Sequence, residues 1–284
     1  MHPPAGPAAR ISRRSHAVWL PVIAAALGLA LGLHGPIPQW ASYHAFADAR
    51  AWLGIPNAAN VLSNLPFALI GAWGLWLHSP IWPTSPESSQ SSQSSQWPAA
   101  WGGGRSRAWA CFSVALTCTA FGSALYHWAP DNALLVFDRL PIAWACAALL
   151  CAFLSERVDA RWGGVPALSA ALVAATAAVA WWWMSEQRGQ GDLRPYLYVQ
   201  FLPMLLVPAA LWLKLPSCSA QAVGNNTWWT VLGLYAAAKA MELADQAVFD
   251  VLGFGSGHTL KHLLAAAAAL CLLRAVAKSG AQLR

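Results

Sequence analysis

The chain has 284 residues, of which 57% are hydrophobic and only 10% are charged. An ordinary soluble domain carries about 25% charged residues, so a soluble globule of this length would lack the polar side chains needed to cover its surface. The formal net charge is +6, but the basic residues stand at the ends of apolar runs and form no basic patch, which argues against a nucleic-acid-binding protein. The 18 tryptophans are typical of membrane–water interfaces.

Apolar stretches close to the roughly 20 residues needed to span a bilayer recur along the whole chain. Backbone polar groups find no partners in lipid, so stretches of this kind must be helices. The sequence therefore predicts an all-α, polytopic transmembrane helix bundle. The eight predicted spans lie near residues 17–34, 58–78, 108–127, 134–155, 164–184, 195–213, 227–248 and 258–277.

The first predicted span follows Arg10, Arg13 and Arg14, an arrangement that also resembles a signal peptide. Its apolar run is long for a signal peptide and no clear A-x-A site follows, so we expect a retained anchor helix. A polar, low-complexity run after the second span predicts a disordered surface loop. The predicted parts of the chain are a tail and anchor helix at 1–39, a transmembrane core at 40–277 with the disordered loop at 80–107, and a C-terminal tail at 278–284.

The distribution of basic residues predicts the orientation of the spans. If the N-terminus is cytoplasmic, eight spans place eleven Lys and Arg residues on the cytoplasmic side and five on the other, with Lys239 inside a span. Cytoplasmic loops carry the excess of Lys and Arg. The sequence therefore predicts that both termini are cytoplasmic.

Ionisable side chains inside spans are costly and mark candidate functional sites. His127 ends the third predicted span, Asp138 and Arg139 lie near the start of the fourth, and His258 and His262 open the eighth. Under the predicted orientation all of these residues lie near the outer membrane face. Loop counting alone thus predicts that they converge at one depth.

His258 and His262 are four residues apart, so they share one face of a helix. Such a pair can place two imidazole nitrogens about 2.0–2.1 Å from one zinc ion. The H-x-x-x-H pattern is also common on surface helices without any ion, although a membrane span makes that interpretation weaker. With His127 as a third ligand, the fourth position of the ion stays open for water.

Ser123 repeats the four-residue spacing with His127 and therefore faces the same way. Its hydroxyl could instead bond the carbonyl four residues back, as is common in spans. Asp138 is the carboxylate available to take a proton from water and return it to a leaving amine. The alternative is that Asp138 is the structural partner of Arg139 or Arg194.

The seventh predicted span carries Lys239, Glu242, Asp245 and Asp250. Charges inside a span are compatible with a transporter. Lys239 and Glu242 are three residues apart on a helix, so a simple ion pair is the alternative interpretation.

Three motifs resemble those of the alkaline ceramidase family, which belongs to the CREST superfamily together with the progestin and adipoQ receptors. They are S-A-L-Y-H at Ser123–His127, F-D-R-L-P around Asp138, and H-T-L-K-H at His258–His262. The N-x-x-S-N of Asn60–Asn64 resembles the first core helix of the family. The segments Y-H-A-F-A-D-A-R, G-I-P-N and G-D-L-R-P-Y-L-Y-V-Q-F-L-P resemble those of bacterial members. The resemblance covers roughly residues 40–277.

The resemblance implies a role for each motif residue. His127, His258 and His262 would bind a catalytic zinc ion. Asp138 would assist proton transfer, and Ser123 would stabilise the oxyanion or hold the hydrogen-bond network of the zinc-bound water. The core of the family has seven helices, which makes the predicted 17–34 span an extra N-terminal helix.

The implied activity is hydrolysis of the amide bond of a ceramide-like lipid to a fatty acid and a long-chain amine. The implied location is a bacterial inner membrane, with the site toward the outer face and with lipid as the partner. No nucleic-acid partner is expected, and the sequence does not fix the oligomeric state. A receptor-like sensor, or a haem protein with histidine axial ligands, is the rival from another class.

One position departs from the family pattern. Eukaryotic alkaline ceramidases have an acidic calcium site just before the first core helix, and Asn57 stands where a glutamate is expected. Asp48 is the nearest acid in the sequence. The departure puts calcium binding in doubt.

Overall fold

The computed structural model describes residues 17–78 and 104–281, which form an all-α bundle as the sequence predicts. The N-terminal tail before residue 17 and most of the predicted loop at 80–107 lie outside the described residues. The helices in chain order are α1 (Trp19–His34), α2 (Ala58–Leu62), α3 (Leu65–Leu77), α4 (Gly104–Trp128), α5 (Asn132–Arg157), α6 (Val165–Gln187), α7 (Arg194–Trp212), α8 (Asn225–Leu243), α9 (Asp245–Leu252) and α10 (Gly257–Ala281). Short 3-10 helices lie at Ala41–His44 and Ala160–Gly163.

Six helical segments of the described chain are long and apolar enough to cross a membrane. Two of the eight predicted spans do not meet these criteria. Helix α1 has only 16 residues, and α8 is less apolar because it carries two asparagines, Lys239 and Glu242. The six segments are Ala58–Leu77, Arg107–Trp128, Asn132–Arg157, Val165–Gln187, Arg194–Trp212 and Gly257–Ser279.

The predicted seventh span, 227–248, is wrong at its C-terminal end. Helix α8 stops at Leu243, and a separate helix, α9, begins at Asp245. The Asp245 carboxylate accepts hydrogen bonds from the backbone N–H groups of Ala47 (3.0 Å) and His258 (2.7 Å). These bonds tie the break to two other segments of the chain, which an apolar pattern along one helix does not reveal.

The predicted second span is interrupted at Ser63 and Asn64, between α2 and α3. Both side chains donate hydrogen bonds to the backbone carbonyl of Asn60, at 2.9 Å and 2.8 Å. Pro66 lies in the first turn of α3 and has no N–H to continue the helix from α2. The interruption turns the Ser63 hydroxyl toward α10.

The predicted loop at 80–107 is also too long at its C-terminal end. Helix α4 begins at Gly104, so residues 104–107 are helical and not disordered. The cluster G-R-S-R contains no strong helix former except arginine, which explains why composition favoured a loop there.

Close contact between α4 and α5 depends on Gly122. Any side chain at this position would collide with the backbone carbonyl of Phe137 on α5. The two helices therefore touch backbone to backbone one residue before Ser123 and one residue before Asp138. This contact places the two predicted catalytic side chains next to each other.

The bundle keeps polar side chains inside and large apolar side chains outside. Asn60, Ser113 and Glu156 are completely buried, whereas Leu33, Phe121 and other large apolar residues are mostly exposed. A soluble protein shows the reverse tendency. The arrangement supports a bundle surrounded by lipid.

Candidate metal centre

Three imidazoles from distant parts of the chain meet at one end of the bundle. His127 lies in the last turn of α4, and His258 and His262 lie in the first turns of α10. The Nε2 atom of His127 lies 3.3 Å from the Nε2 atom of His258 and 3.3 Å from that of His262. All three side chains are buried. The predicted convergence of the three histidines is confirmed.

The spacing of the three nitrogen atoms suits a metal ion. The ligand atoms of the triad all lie within 4.8 Å of one another. Nitrogen ligands about 2.05 Å from a tetrahedral ion lie about 3.3 Å apart, which is the separation seen for the two pairs that share His127. The three histidines could therefore hold a metal ion.

A contact with Ser63, the residue that follows α2, indicates the tautomer of His262. The Ser63 hydroxyl donates its proton to the Asn60 carbonyl at 2.9 Å, so its oxygen is left to accept. The Nδ1 atom of His262 lies 2.7 Å from that oxygen, and with the Ser63 proton on the Asn60 carbonyl we assign Nδ1 as the donor. The Nε2 atom of His262 then carries a lone pair toward His127. A partner on the outer nitrogen is a common feature of metal-binding histidines.

Sequence reasoning missed Ser63, although it lies in the N-x-x-S-N segment that resembles the family. Its importance depends on a contact between α2 and α10, which no spacing within one helix reveals. The neighbouring Asn60 also takes part, because its side-chain oxygen accepts a hydrogen bond from Thr259 at 2.8 Å. These two bonds hold the start of α10 against α2.

The loop before α2 covers the histidines. The ring of Phe46 lies 4.7 Å from the His127 ring and 4.8 Å from the His258 ring, measured between centroids. The Asn57 side chain donates a hydrogen bond to the His127 carbonyl at 2.8 Å. Together with the Asp245 bridge to His258, these contacts hold the loop closed over the triad.

Ser123 does not adopt the alternative bond that its position in a span allows. Ser113, Thr117 and Thr119 of α4 each bond the carbonyl four residues back, but no such bond is formed by Ser123 within the described chain. Its side chain interacts instead with the buried carboxylate of Asp138. The two predicted catalytic residues are therefore neighbours.

The structure does not support either arginine as the ion partner of Asp138. Arg194 pairs with Asp192 at 2.8 Å. Arg139 turns away into an aromatic cage, with its guanidinium 4.0 Å from the Trp182 ring centroid, and bonds the Gln39 side chain. No ion pair within 4.0 Å joins Asp138 to a cation in the part of the chain that the structure describes. Lys261 and Arg139 act on the buried Asp138 carboxylate electrostatically, without a direct ion pair.

Asp192 lies in the loop between α6 and α7, outside the membrane spans, and its partner Arg194 is the first residue of α7. Asp192 also accepts a hydrogen bond from the Trp181 indole at 3.1 Å. Bonding to the Arg194 guanidinium, with a smaller contribution from Trp181, lowers the pKa of Asp192 to about 2. This carboxylate is therefore fully charged at neutral pH and fixed in a structural role.

The predicted pair of Lys239 and Glu242 is present, at 2.6 Å. The second oxygen of Glu242 pairs with Lys261 of α10 at 3.0 Å. Glu242 is thus shared by two lysines and joins α8 to α10 next to His262. This local pairing accounts for the charges that raised the transporter alternative.

The residues around Asp48 do not fit a calcium ion. Both oxygens of Asp48 accept hydrogen bonds from the Arg50 guanidinium, at 2.8 Å each. These bonds lower the pKa of Asp48 below its ordinary value. The amide of Asn57 is engaged with the His127 carbonyl. A guanidinium already neutralises the one acid that the sequence offers at this position.

Comparison of this chain with family models, with curated proteins and with solved structures gives no match. Function is a property of a site and not of a fold, so the case for an activity is made from the residues described above. These residues are three converging imidazoles, together with a carboxylate and a hydroxyl that interact with each other, the hydroxyl lying one helical turn before His127.

Proposed function

We propose that this protein is an integral membrane, zinc-dependent hydrolase that cleaves the amide bond of a ceramide-like lipid into a fatty acid and a long-chain amine. The observation that carries the proposal is the combination of three converging imidazoles with the adjacent Asp138 and Ser123. The motifs around these residues, which resemble those of alkaline ceramidases, support the choice of substrate.

Zinc is the ion proposed for His127, His258 and His262, because three histidines with an open fourth position are typical of catalytic zinc sites. Bound there, zinc would lower the pKa of a water molecule to about 7 and polarise the amide carbonyl. The hydrogen bond from His262 to Ser63 keeps the ligating nitrogen of that ring unprotonated. The chain therefore presents lone pairs where the ion needs them.

Asp138 is proposed as the proton carrier. It takes a proton from the attacking water and delivers it to the nitrogen of the leaving amine when the carbon–nitrogen bond breaks. Asp138 forms no direct ion pair within 4.0 Å among the described residues, and its interaction with the Ser123 hydroxyl supports this assignment. Ser123 is proposed to donate a hydrogen bond to the carbonyl oxygen as negative charge develops there.

A lipid substrate suits the position of the site. The triad lies at the ends of the candidate membrane spans Arg107–Trp128 and Gly257–Ser279. In a bilayer, such segment ends would lie near the depth where the polar linkage of a two-chain lipid meets its acyl chains. Large apolar side chains of α4 and α5, such as Phe121, Leu125 and Phe137, face outward beside this end of the bundle. A lipid could approach from the side without leaving the membrane.

The rival haem interpretation is disfavoured by the same geometry. Axial haem ligands approach the iron from opposite faces of a flat macrocycle. Here three imidazoles converge on one point, and the Nε2 atoms of His258 and His262 each lie only 3.3 Å from the Nε2 atom of His127. A purified protein with a Soret absorption band and no zinc would favour haem and contradict the proposal.

The proposed setting is a bacterial inner membrane with both termini in the cytoplasm and the triad toward the outer face. The asymmetry of eleven against five basic residues supports this orientation. Reporter fusions after Lys214 and after the last residue should both give cytoplasmic signals. An exterior signal at Lys214 would contradict the orientation but not the chemistry.

The activity is tested with the full chain in mixed micelles that contain either a ceramide or a diacyl phospholipid. We expect release of fatty acid from the ceramide, loss of that release after treatment with a chelator, and recovery with added zinc. The wild-type phospholipid reaction gives the level of non-specific cleavage. Zinc-loaded protein that leaves ceramide and other lipid amides intact would contradict the proposed function.

A further inference from the structure

The end of the bundle opposite the histidines contains an open cleft of about 400 Å³. Arg157 at the end of α5, Lys214 just after α7, and Gly224 and Asn225 at the start of α8 contribute to its walls. Helix α4 begins at this end, with the Trp109 indole bonded to Glu156. A span of about 20 residues rises about 30 Å, so the cleft and the triad are separate sites.

A network of hydrogen bonds makes the wall of the cleft rigid. The two Nη atoms of Arg157 donate to the carbonyls of Leu215 (3.2 Å) and Val223 (2.9 Å), at the two ends of the loop between α7 and α8. The Glu156 carboxylate accepts from the Val223 N–H at 2.9 Å, and its backbone carbonyl accepts from the Cys218 N–H at 2.6 Å. The loop is held in place before any ligand binds.

The start of α8 presents hydrogen-bond donors to the cleft. The N-cap is Gly224, which has no side chain to bond the free N–H groups, and the first turn contains no acid. The first intrahelical hydrogen bond of α8 is donated by Trp228, so the N–H groups of the preceding three helical residues have no partner within the helix. Such a helix terminus attracts an anion.

Two side chains add positive charge beside this helix terminus. Arg157 is 5% exposed, and its Nε atom has no hydrogen-bond partner within the described chain. Lys214 is exposed at the rim. Glu156 offsets part of the Arg157 charge, so Lys214 and the terminus of α8 provide the net attraction for an anion.

We propose that this cleft binds the phosphate group of an anionic phospholipid from the membrane leaflet at this end of the bundle. The indole of Trp212, two residues before Lys214, is 81% exposed, and Trp229, in the second turn of α8, is 45% exposed. Exposed tryptophans are typical of the membrane–water interface. The two tryptophans indicate that the cleft lies at the level of the lipid headgroups. A phospholipid bound there would also contact the bundle through its acyl chains, which a free phosphate ion lacks. Basic pockets between helices bind such headgroups in other membrane proteins.

The test uses the full chain in nanodiscs that contain equal amounts of phosphatidylcholine and phosphatidylglycerol, with retained lipid counted by native mass spectrometry. The decisive variant is Gly224→Asp. The residue has φ −66° and nothing lies within 4 Å of an added Cβ, so aspartate fits there. It should cap α8 and raise or preserve the unfolding temperature, while its charge repels phosphate.

We expect the wild type to retain one phosphatidylglycerol that Gly224→Asp loses. Lys214→Gln should weaken retention about five-fold, because one lysine near an anionic headgroup contributes about 1 kcal/mol. Lys278→Gln is the matched control, since it removes the same charge from an exposed position near the end of α10. Its retention should equal that of the wild type.

Equal retention by Gly224→Asp and Lys278→Gln would overturn the proposal. A competition arm separates the two sources of phosphate: millimolar inorganic phosphate should leave the retained lipid in place. Displacement by inorganic phosphate would overturn the lipid assignment in favour of a free anion. If Gly224→Asp unfolds at a lower temperature than the wild type, the two lysine variants decide between the outcomes. Weaker lipid retention by Lys214→Gln than by Lys278→Gln then supports the proposal, and equal retention overturns it.

Discussion

The two ends of this bundle gather opposite kinds of polar group. At the triad end, imidazole nitrogens face one another, and the bond from His262 to Ser63 leaves a lone pair directed inward. At the cleft end, the N–H groups of α8 and the cations Arg157 and Lys214 converge. Convergent lone pairs suit a cation, and convergent donors suit an anion. The sign of the expected ligand can therefore be read from the direction of the hydrogen bonds.

The ends also differ in how their carboxylates are used. Asp192 and Asp48, in loops near the triad, are each bound by an arginine two residues away, and Glu156 near the cleft bonds an indole and a backbone N–H. Asp138 forms no ion pair within 4.0 Å with a described cation, although Lys261 and Arg139 act on it electrostatically, and it interacts with Ser123. The contrast separates carboxylates held by direct bonds to an arginine, an indole or a backbone N–H from the one to which we assign proton transfer.

The largest expected effect of a single polar substitution is that of Asp138→Asn. Asparagine keeps the shape of the side chain but cannot accept a proton, so turnover of a ceramide should fall by about 10²–10⁴-fold while zinc remains bound. The matched control is Asp131→Asn, the same change at the exposed N-cap of α5, where asparagine also caps well. Measurement of yield, zinc content and hydrolysis on both variants separates the roles. Well-folded Asp138→Asn protein with wild-type turnover would remove Asp138 from the mechanism.

A somewhat smaller loss is expected for Ser123→Ala. If the hydroxyl donates to the developing oxyanion, turnover should fall by about 10²–10³-fold with little change in zinc content or stability. Ser113→Ala removes a similar buried hydroxyl from the same helix, but one that only bonds the carbonyl four residues back. It should leave turnover unchanged. Equal turnover by the two variants would return Ser123 to a structural role.

Ser63→Ala tests whether α2 holds His262 in its metal-binding form. Loss of such a partner typically costs 10–100-fold in metal affinity. Zinc affinity measured by chelator competition should fall by that amount, whereas the control Ser155→Ala, a buried serine near the opposite end of the bundle, should leave it unchanged. An unchanged affinity in Ser63→Ala would show that the bond to His262 does not matter for the ion.

The smallest effect concerns the arginine-bound Asp192 and depends on pH. Its pKa is about 2 in the folded protein and 3.8 when unperturbed, so its contribution to stability is complete above pH 4 and is lost as the pH falls toward 2. Asp192→Asn should therefore lower the free energy of unfolding at pH 7 and flatten its decline in acid. Hydrolysis should be unaffected, in contrast with Asp138→Asn.

Asp159 provides the control for this pH effect. It forms the same type of pair with Arg161 two residues later, but the arginine side chain is 90% exposed. Exposed ion pairs contribute little to stability. Asp159→Asn should leave the acid profile close to that of the wild type, and a profile as flat as that of Asp192→Asn would contradict the assignment.

Much of this site could be predicted from the sequence because its spacings act within single helices. His258 and His262 share a face by virtue of their four-residue separation, and His127 reaches them because span lengths fix its depth in the membrane. The same reasoning placed Ser123 beside His127. Gly122, which brings Ser123 against Asp138, follows from no periodicity and required the structure.

The features that sequence reasoning missed depend on contacts between helices. The role of Ser63 needs α2 to touch α10, and the end of α8 at Leu243 needs Asp245 to bond His258 and Ala47. The charge of Glu242 was assigned to Lys239 alone, although Lys261 of another helix shares it. The spacing of residues along one helix carries no signal of these contacts with another helix.

The central claim is that the convergent histidines hold a zinc ion, and metal content tests it most directly. The full chain is purified without chelator, and zinc per chain is measured for the wild type, for His258→Ala/His262→Ala and for His44→Gln. His44 is a suitable control because it lies at the same end but bonds Tyr126 and Asn132 instead of joining the triad. We predict about one zinc per chain in the wild type and in His44→Gln, and none in the double variant. Full zinc occupancy in folded His258→Ala/His262→Ala protein would contradict the account.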